Sequence, residues 1–252
     1  MLRVLPAIIS LVAAMQSAQL QTLSLKRFEV IRIETSGIQR LPDGVRDIFT
    51  GPVSGLARPV RNLEEAARQV GFTPRLPASP MPQEVLVMSP VNNQPKIAAA
   101  DLQNELRRAD VDVPVPQDWD GVTLAIQQGA GLLADYGDYF IAEAPPMTLS
   151  APAGFRMDQF IEVLFRLAGL NSADATKLRQ KFMAGPALYF PIAPKYDMDI
   201  REVQLTTGTG LLLQNAEKGA ELAFIWNTAD RSYFLSGFLT EDAAIALANS
   251  IK

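Results

Sequence analysis

Oxygen-bearing and aromatic side chains are left to carry any chemistry in this chain, because its 252 residues include neither histidine nor cysteine. Without imidazole or thiolate, the common zinc sites, Ser-His-Asp triads and Cys-His dyads cannot be assembled, and no disulfide can form. Ser-Lys pairs, paired carboxylates, tyrosine or an oxygen-ligated metal are what remain. Asp118 and Asp120 fall in Asp118-Trp119-Asp120-Gly121, with Asp135 and Asp138 not far beyond. Such a turn supplies oxygens to a hard cation, but the rest of a calcium-loop pattern is missing, and Asp and Gly at a turn are ordinary backbone chemistry. No metal and no cofactor are expected. Ser172 with Lys177 and Ser24 with Lys26 are the right residue types for a Ser-Lys nucleophile, without the Ser-x-x-Lys spacing. Ser172 reads instead as a helix cap. Gly208-Thr209-Gly210 is followed by Leu211-Leu212-Leu213, which continues as strand and not as the helix that a phosphate-binding glycine loop requires. No catalytic residue is assigned.

Trp119, Tyr136 and Tyr139 are the candidate ligand-binding residues. Flat rings of this kind stack on a sugar or peptide, or, in the plainer reading, seal the edge of a sheet core. Trp226 and Tyr233 lie on strands flanking a turn and fit a cross-strand pair belonging to the core.

The elements that must position these residues are punctuated by Pro, Gly and capping signals. Leu23 to Ile33 alternates as a strand, and the Gly/Pro-rich stretch 34–61 is a connector with one helical turn near Val45 to Phe49. Asn62, with Glu65 three residues on and Gly71 beyond, brackets a helix over Leu63 to Val70. The prolines of Phe72 to Pro82 force an extended arm. Strands are expected at Glu84 to Ser89, Lys96 to Ala99, Val122 to Gln127 and Tyr139 to Ala144, the last two as neighbours. A helix capped by Asp101 runs to about Ala109. Phe160, Val163, Leu164 and Leu167 form one apolar stripe on a helix over 156–168, and a second helix covers 173–183. Strands at 203–206, 211–214, 220–227 and 231–237 make a meander, closed by a helix that Thr240 caps. The fold class is α+β, with antiparallel sheets packed on one face by helices and a C-terminal four-strand meander plus helix. Residues 62–252 form the α+β domain, with lobes at 62–145 and 150–252 as one division of it.

A net charge of −4 with scattered cations argues against a nucleic-acid partner, since nothing concentrates positive field. Arg3 followed by the apolar run Val4 to Ala14 has the length of a signal-peptide core and is too short to span a bilayer. A core helix and the remnant of a membrane helix are the other readings of residues 1–18, so N-terminal membrane attachment stays open.

The order of "NLEEAARQVGFTPRLPASPMP", "DWDGVTLAIQQGAGLLADYG", "FIEVLFRLAGLNSADATKLRQKF" and the ending "FIWNTADRSYFLSGFLTEDAAIALANSI" resembles an uncharacterised bacterial domain. That domain forms the extracytoplasmic C-terminal region of membrane-bound zinc-finger anti-sigma factors and also occurs in lone secreted or anchored proteins. The likeness covers nearly all of residues 20–252. It implies a non-enzymatic extracytoplasmic sensor or protein-interaction domain, whose partner is a protein or small ligand outside the membrane. The family's cytoplasmic zinc module needs His and Cys, and this chain has neither, so sigma-factor binding is not implied. A secreted carrier for a small apolar or glycan ligand, held between the sheet and the helices of 156–183, is the alternative.

Overall fold

The structure, a computed structural model, describes residues 20–32, 57–192, 198–215 and 221–251. The N-terminal apolar run and the helical turn expected at 45–49 lie outside them. Among the described residues the chain is α+β, with five α-helices, a four-stranded and an eight-stranded antiparallel sheet, and one parallel strand pair.

The strands are β1 (Leu20–Leu25), β2 (Arg27–Arg32), β3 (Ala57–Val60), β4 (Glu84–Met88), β5 (Val91–Asn93), β6 (Ala125–Gln128) and β7 (Gly131–Asp135). They continue with β8 (Tyr139–Ala144), β9 (Met147–Pro152), β10 (Ala187–Ile192), β11 (Met198–Leu205), β12 (Gly208–Asn215), β13 (Leu222–Asn227) and β14 (Ser232–Gly237). The helices are α1 (Leu63–Val70), α2 (Ala99–Arg108), α3 (Met157–Leu167), α4 (Ser172–Ala184) and α5 (Glu241–Ser250). The small sheet has the order β1-β9-β6-β5 and the large one β11-β12-β13-β14-β8-β7-β4-β3.

Three segments serve both sheets. β4 passes into β5 across Ser89-Pro90, β6 into β7 across Gly129-Ala130, and β8 into β9 across Pro145-Pro146. Proline removes a ladder donor and glycine packs nothing, so each kink sits where the residues can end pairing in one sheet and resume it in the other. At Gly131 an added Cβ would meet the Glu143 carbonyl at 2.8 Å, so the strands approach at this junction closely enough to demand glycine.

Each sheet backs its own core. Leu25, Ile126, Leu149 and Ala151 face α2, α3 and α4, and the four apolar-stripe residues of α3 are all nearly fully buried there. The opposite face of the small sheet is polar, with Thr22 and Ser150 hydroxyls 3.0 Å apart and Gln127 bonded to Asn92. The large sheet packs Leu132, Ile141, Leu212, Phe224, Trp226 and Leu235 against α5, and Val85 and Val87 against Ala66 of α1. Its other face carries Leu211, Leu213 and Ile225 beneath Phe28 of β2.

The C-terminal meander and closing helix are as expected, and Thr240 caps α5 by accepting the Ala243 N–H. Asn62 accepts the Glu65 N–H at 2.9 Å while Glu65 accepts from Arg61 N, the two halves of a capping box, and Gly71 closes α1 at φ 79°. Other expectations are corrected. Asp101 lies inside the first turn of α2, and the orphan N–H of Ala99 is satisfied by Asp120 from across the core. Ser172 is the first residue of α4, whose cap is Asn171. The expected strand at Lys96 to Ala99 reduces to one bridge between Lys96 and Thr123. β8 pairs with β7 and β14 rather than with the strand at 125–128, because the chain crosses into the other sheet at Gly129. The two cores take residues alternately along the chain.

Candidate functional site

The three aromatic candidates separate. Trp119 ends a single 3-10 turn and is 1% exposed, wedged between Phe155 and Phe160 with centroids 5.5 and 5.7 Å away. It belongs to the core of the small sheet. Tyr136 and Tyr139 lie at the far end of the large sheet, where the tight β7–β8 turn stacks their rings at 4.6 Å and 10°. Tyr136 is buried, its hydroxyl has no partner among the described residues, and burial pushes its phenol up to about 12. The aspartates do structural work. Asp120 holds the start of α2, Asp118 meets Arg156 at 3.5 Å, and Asp135 accepts the Gly137 N–H within the turn. Trp226 and Tyr233 are the expected cross-strand pair, stacked at 5.0 Å and both 1% exposed.

Sequence reasoning passed over Glu143, the fully buried carboxylate of β8. Its position on the inward face, in line with Ile141 and opposite Tyr233 and Leu132, follows from the strand register. The clue was a lone acid in Phe140-Ile141-Ala142-Glu143-Ala144, a strand otherwise apolar on both faces. One oxygen accepts the Arg75 backbone N–H at 2.9 Å, and the other accepts the Tyr233 hydroxyl at 3.3 Å. Arg231 Nε lies 3.3 Å from that second oxygen, near enough for charge pairing without hydrogen-bond alignment. The Arg231 guanidinium also covers the Phe72 ring at 4.2 Å, and Arg75 grips Asp230 through two bonds of 2.8 and 3.0 Å. Burial raises the Glu143 carboxyl, against the opposing pull of the Arg75 N–H, Arg231 and Tyr233. Asp230 is held below its ordinary value, chiefly by the Arg75 hydrogen bonds.

This network is a latch for the proline arm. From Arg75, fixed at one end of the sheet, the arm buries Leu76 against the large-sheet core and reaches Gln83 at the other end. There Gln83 N donates to Asp135 O at 2.7 Å and its side chain donates to Tyr136 O at 3.2 Å. With both oxygens of Glu143 engaged inside the fold, the carboxylate positions chain rather than substrate.

The same far end exposes apolar surface. Phe238, just past β14, and Met81, in the arm, are each 69% exposed. Phe238 borders the Tyr136–Asp138 turn through its N–H to Asp138 O at 2.9 Å, and Met81 lies on the arm two residues before Gln83, whose side chain bonds to Tyr136 O. A cleft of about 390 Å³ lies on the other side of the molecule, where β2 crosses the large sheet, and its wall includes Lys26, Glu29, Lys181, Glu202, Thr209 and Asn227. Glu29 is paired there with Arg27 at 3.2 Å and Lys181 at 2.7 Å. The space between the small sheet and residues 156–183 is occupied by Phe160, Leu164, Phe165 and Phe182, all nearly fully buried.

Comparison of the chain with protein-family models, with curated proteins and with solved structures finds no match.

Proposed function

We propose that this chain is a non-enzymatic binding domain that works outside the cytoplasmic membrane, as the sensor or protein-interaction part of a regulatory system of the anti-sigma type. The observation that carries the interaction reading is the far end of the large sheet, where Phe238 stands exposed beside an aromatic-backed turn and Met81 stands exposed on the arm that leads into it. Large apolar side chains grouped on an ordered surface are what a partner protein covers. The resemblance of residues 20–252 to the outer region of anti-sigma factors supports the location and the regulatory context. Fractionation of native cells tests the location: the chain is expected in the extracytoplasmic fraction and accessible to protease in intact spheroplasts, and recovery in the cytoplasm refutes it. Deleting the gene is expected to change transcription from promoters of an alternative sigma factor, and an unchanged profile would remove the regulatory part.

The second reading, a secreted carrier, draws on the cleft beside β2. Its charged and hydroxyl-bearing wall suits a glycan better than an apolar molecule. Calorimetric titration with defined oligosaccharides, with Thr209→Val as the control variant, decides for or against it.

A further inference from the structure

Charge at the far end of the large sheet specifies what would cover it. Sheet register brings Glu84 opposite Asp135 and Tyr139 opposite Gly237, so the ends of β4, β7, β8 and β14 lie side by side. Glu84 and Asp138 are exposed at this end and Asp135 is half-buried. Among the described residues none of these three carboxylates is paired with a cation, whereas Glu64, Glu105, Asp158 and Asp230 elsewhere each have an arginine. Arg61, one residue past the Val60–Val85 pair, stands at the β3 corner, at the opposite edge of this end from Phe238. Phe238 thus rises from an acidic surround, and Met81 lies on the arm that leads into it.

We propose that this end docks a basic segment of a partner protein, one that places an apolar side chain against Phe238 and Met81 and flanks it with lysine or arginine. The inference rests on the interaction reading above and adds the partner's chemistry. Phe238 is an aromatic anchor, Met81 an adaptable one, and Tyr136 stacked on Tyr139 beneath them keeps the turn from yielding. Apolar contact supplies the burial, while the carboxylates select for positive charge and speed encounter. An anionic bilayer would meet like charge here, and so would the same end of a second copy in a chain of net charge −4.

The test uses the whole chain and a fluorescent peptide probe built of leucine and lysine, with a matched probe in which glutamate replaces lysine. Anisotropy should show binding of the lysine probe, weakening as salt shortens the screening length to about 8 Å or less, and no binding of the glutamate probe. Phe238→Ser should weaken it by about tenfold or more, as loss of an anchor does. The Glu84→Gln/Asp138→Asn double variant should lose the preference for lysine. All three side chains are exposed, so unchanged circular dichroism will certify the fold. Absence of binding, indifference to Phe238→Ser, or equal binding of both probes overturns the proposal, as does co-sedimentation with phosphatidylglycerol vesicles that Phe238→Ser abolishes. A photo-cross-link from position 238 to a protein in intact cells, combined with indifference to probe charge, would sink the basic-partner inference while sparing the interaction reading. Cytoplasmic recovery of the native chain would refute the extracytoplasmic location and leave the basic-partner inference standing.

Discussion

Replacing Glu143 should unlatch the proline arm, and the cost can be worked from its contacts. Glu143→Ala leaves the Arg75 N–H and the Tyr233 hydroxyl without acceptors, at about 1–3 kcal/mol for each buried unsatisfied group. It also strands the mostly buried Arg231, and breaking a buried ion pair from one side costs about 3–5 kcal/mol. These contributions overlap, and Arg231 keeps Asp230, so about 4 kcal/mol is expected, a large part of a typical domain's stability. Glu143→Gln keeps an acceptor for Arg75 but offers no charge to Arg231, and should cost about 1–2 kcal/mol. Urea unfolding followed by tryptophan fluorescence reads both, because Trp226 stacks on Tyr233 beside the carboxylate. The pH dependence supplies a second readout. Burial raises the folded carboxyl above its unfolded value, so the folded state holds the proton more tightly. The stabilisation this gives is complete below the unfolded pKa and is lost as pH rises through the folded one. Wild-type stability should therefore fall across that window, and Glu143→Gln should flatten the fall. Asp230, lowered by Arg75, works in the opposite sense, its stabilisation being lost as pH falls through its folded pKa, but its exposure keeps that effect small. A cost below about 1 kcal/mol for Glu143→Ala, under the lower bound for even one unsatisfied group, would refute the latch. So would an undiminished pH slope in Glu143→Gln.

Two further outcomes are expected. Gly237→Ala, at φ 153° with the Asp138 carbonyl and Tyr139 Cα in the way of a Cβ, should destabilise by about 3 kcal/mol or more, whereas Gly154→Ala, in open space at φ 84°, should cost about 1 kcal/mol. Equal melting temperatures for the two variants would contradict that reasoning. In an alkaline absorbance titration Tyr136 should ionise at about 12, and Tyr189 and Tyr233, raised chiefly by burial, should stay protonated until the fold opens. Ionisation of all the tyrosines together at the ordinary phenol value would contradict it.

What could be read along the chain was local. The Asn62–Glu65 capping box, the apolar stripe of α3, the C-terminal meander and the irregular arm each declare themselves within a few residues. What could not be read was set across the fold. Asp120 caps a helix that begins 21 residues before it, and β8 pairs with β14, which lies beyond the two helices and most of the meander, 90 residues away at Glu143 and Tyr233. β5 and β10 have no pattern of their own and are strands because a partner is there. The aromatic candidates showed the same division. Spacing brought Trp119 close to Tyr136 and Tyr139 in sequence, but the kink at Gly129 sends them to different cores. Glu143 was missed because burial of a carboxylate depends on donors contributed by Arg75 and Tyr233, distant in the chain. The exposure of Met81 and Phe238 has no signature in composition at all.

The three kinked strands also bear on how the molecule comes apart. Each has one end in the small sheet and the other in the large one, so an opening that frees β6 or β9 releases the chain that anchors β7 or β8. Amide protons deep in either sheet should then exchange at one common rate, through the same global opening, and no half-folded species should accumulate. The edge strands β3 and β11, outside that shared spine, are where exchange should run ahead.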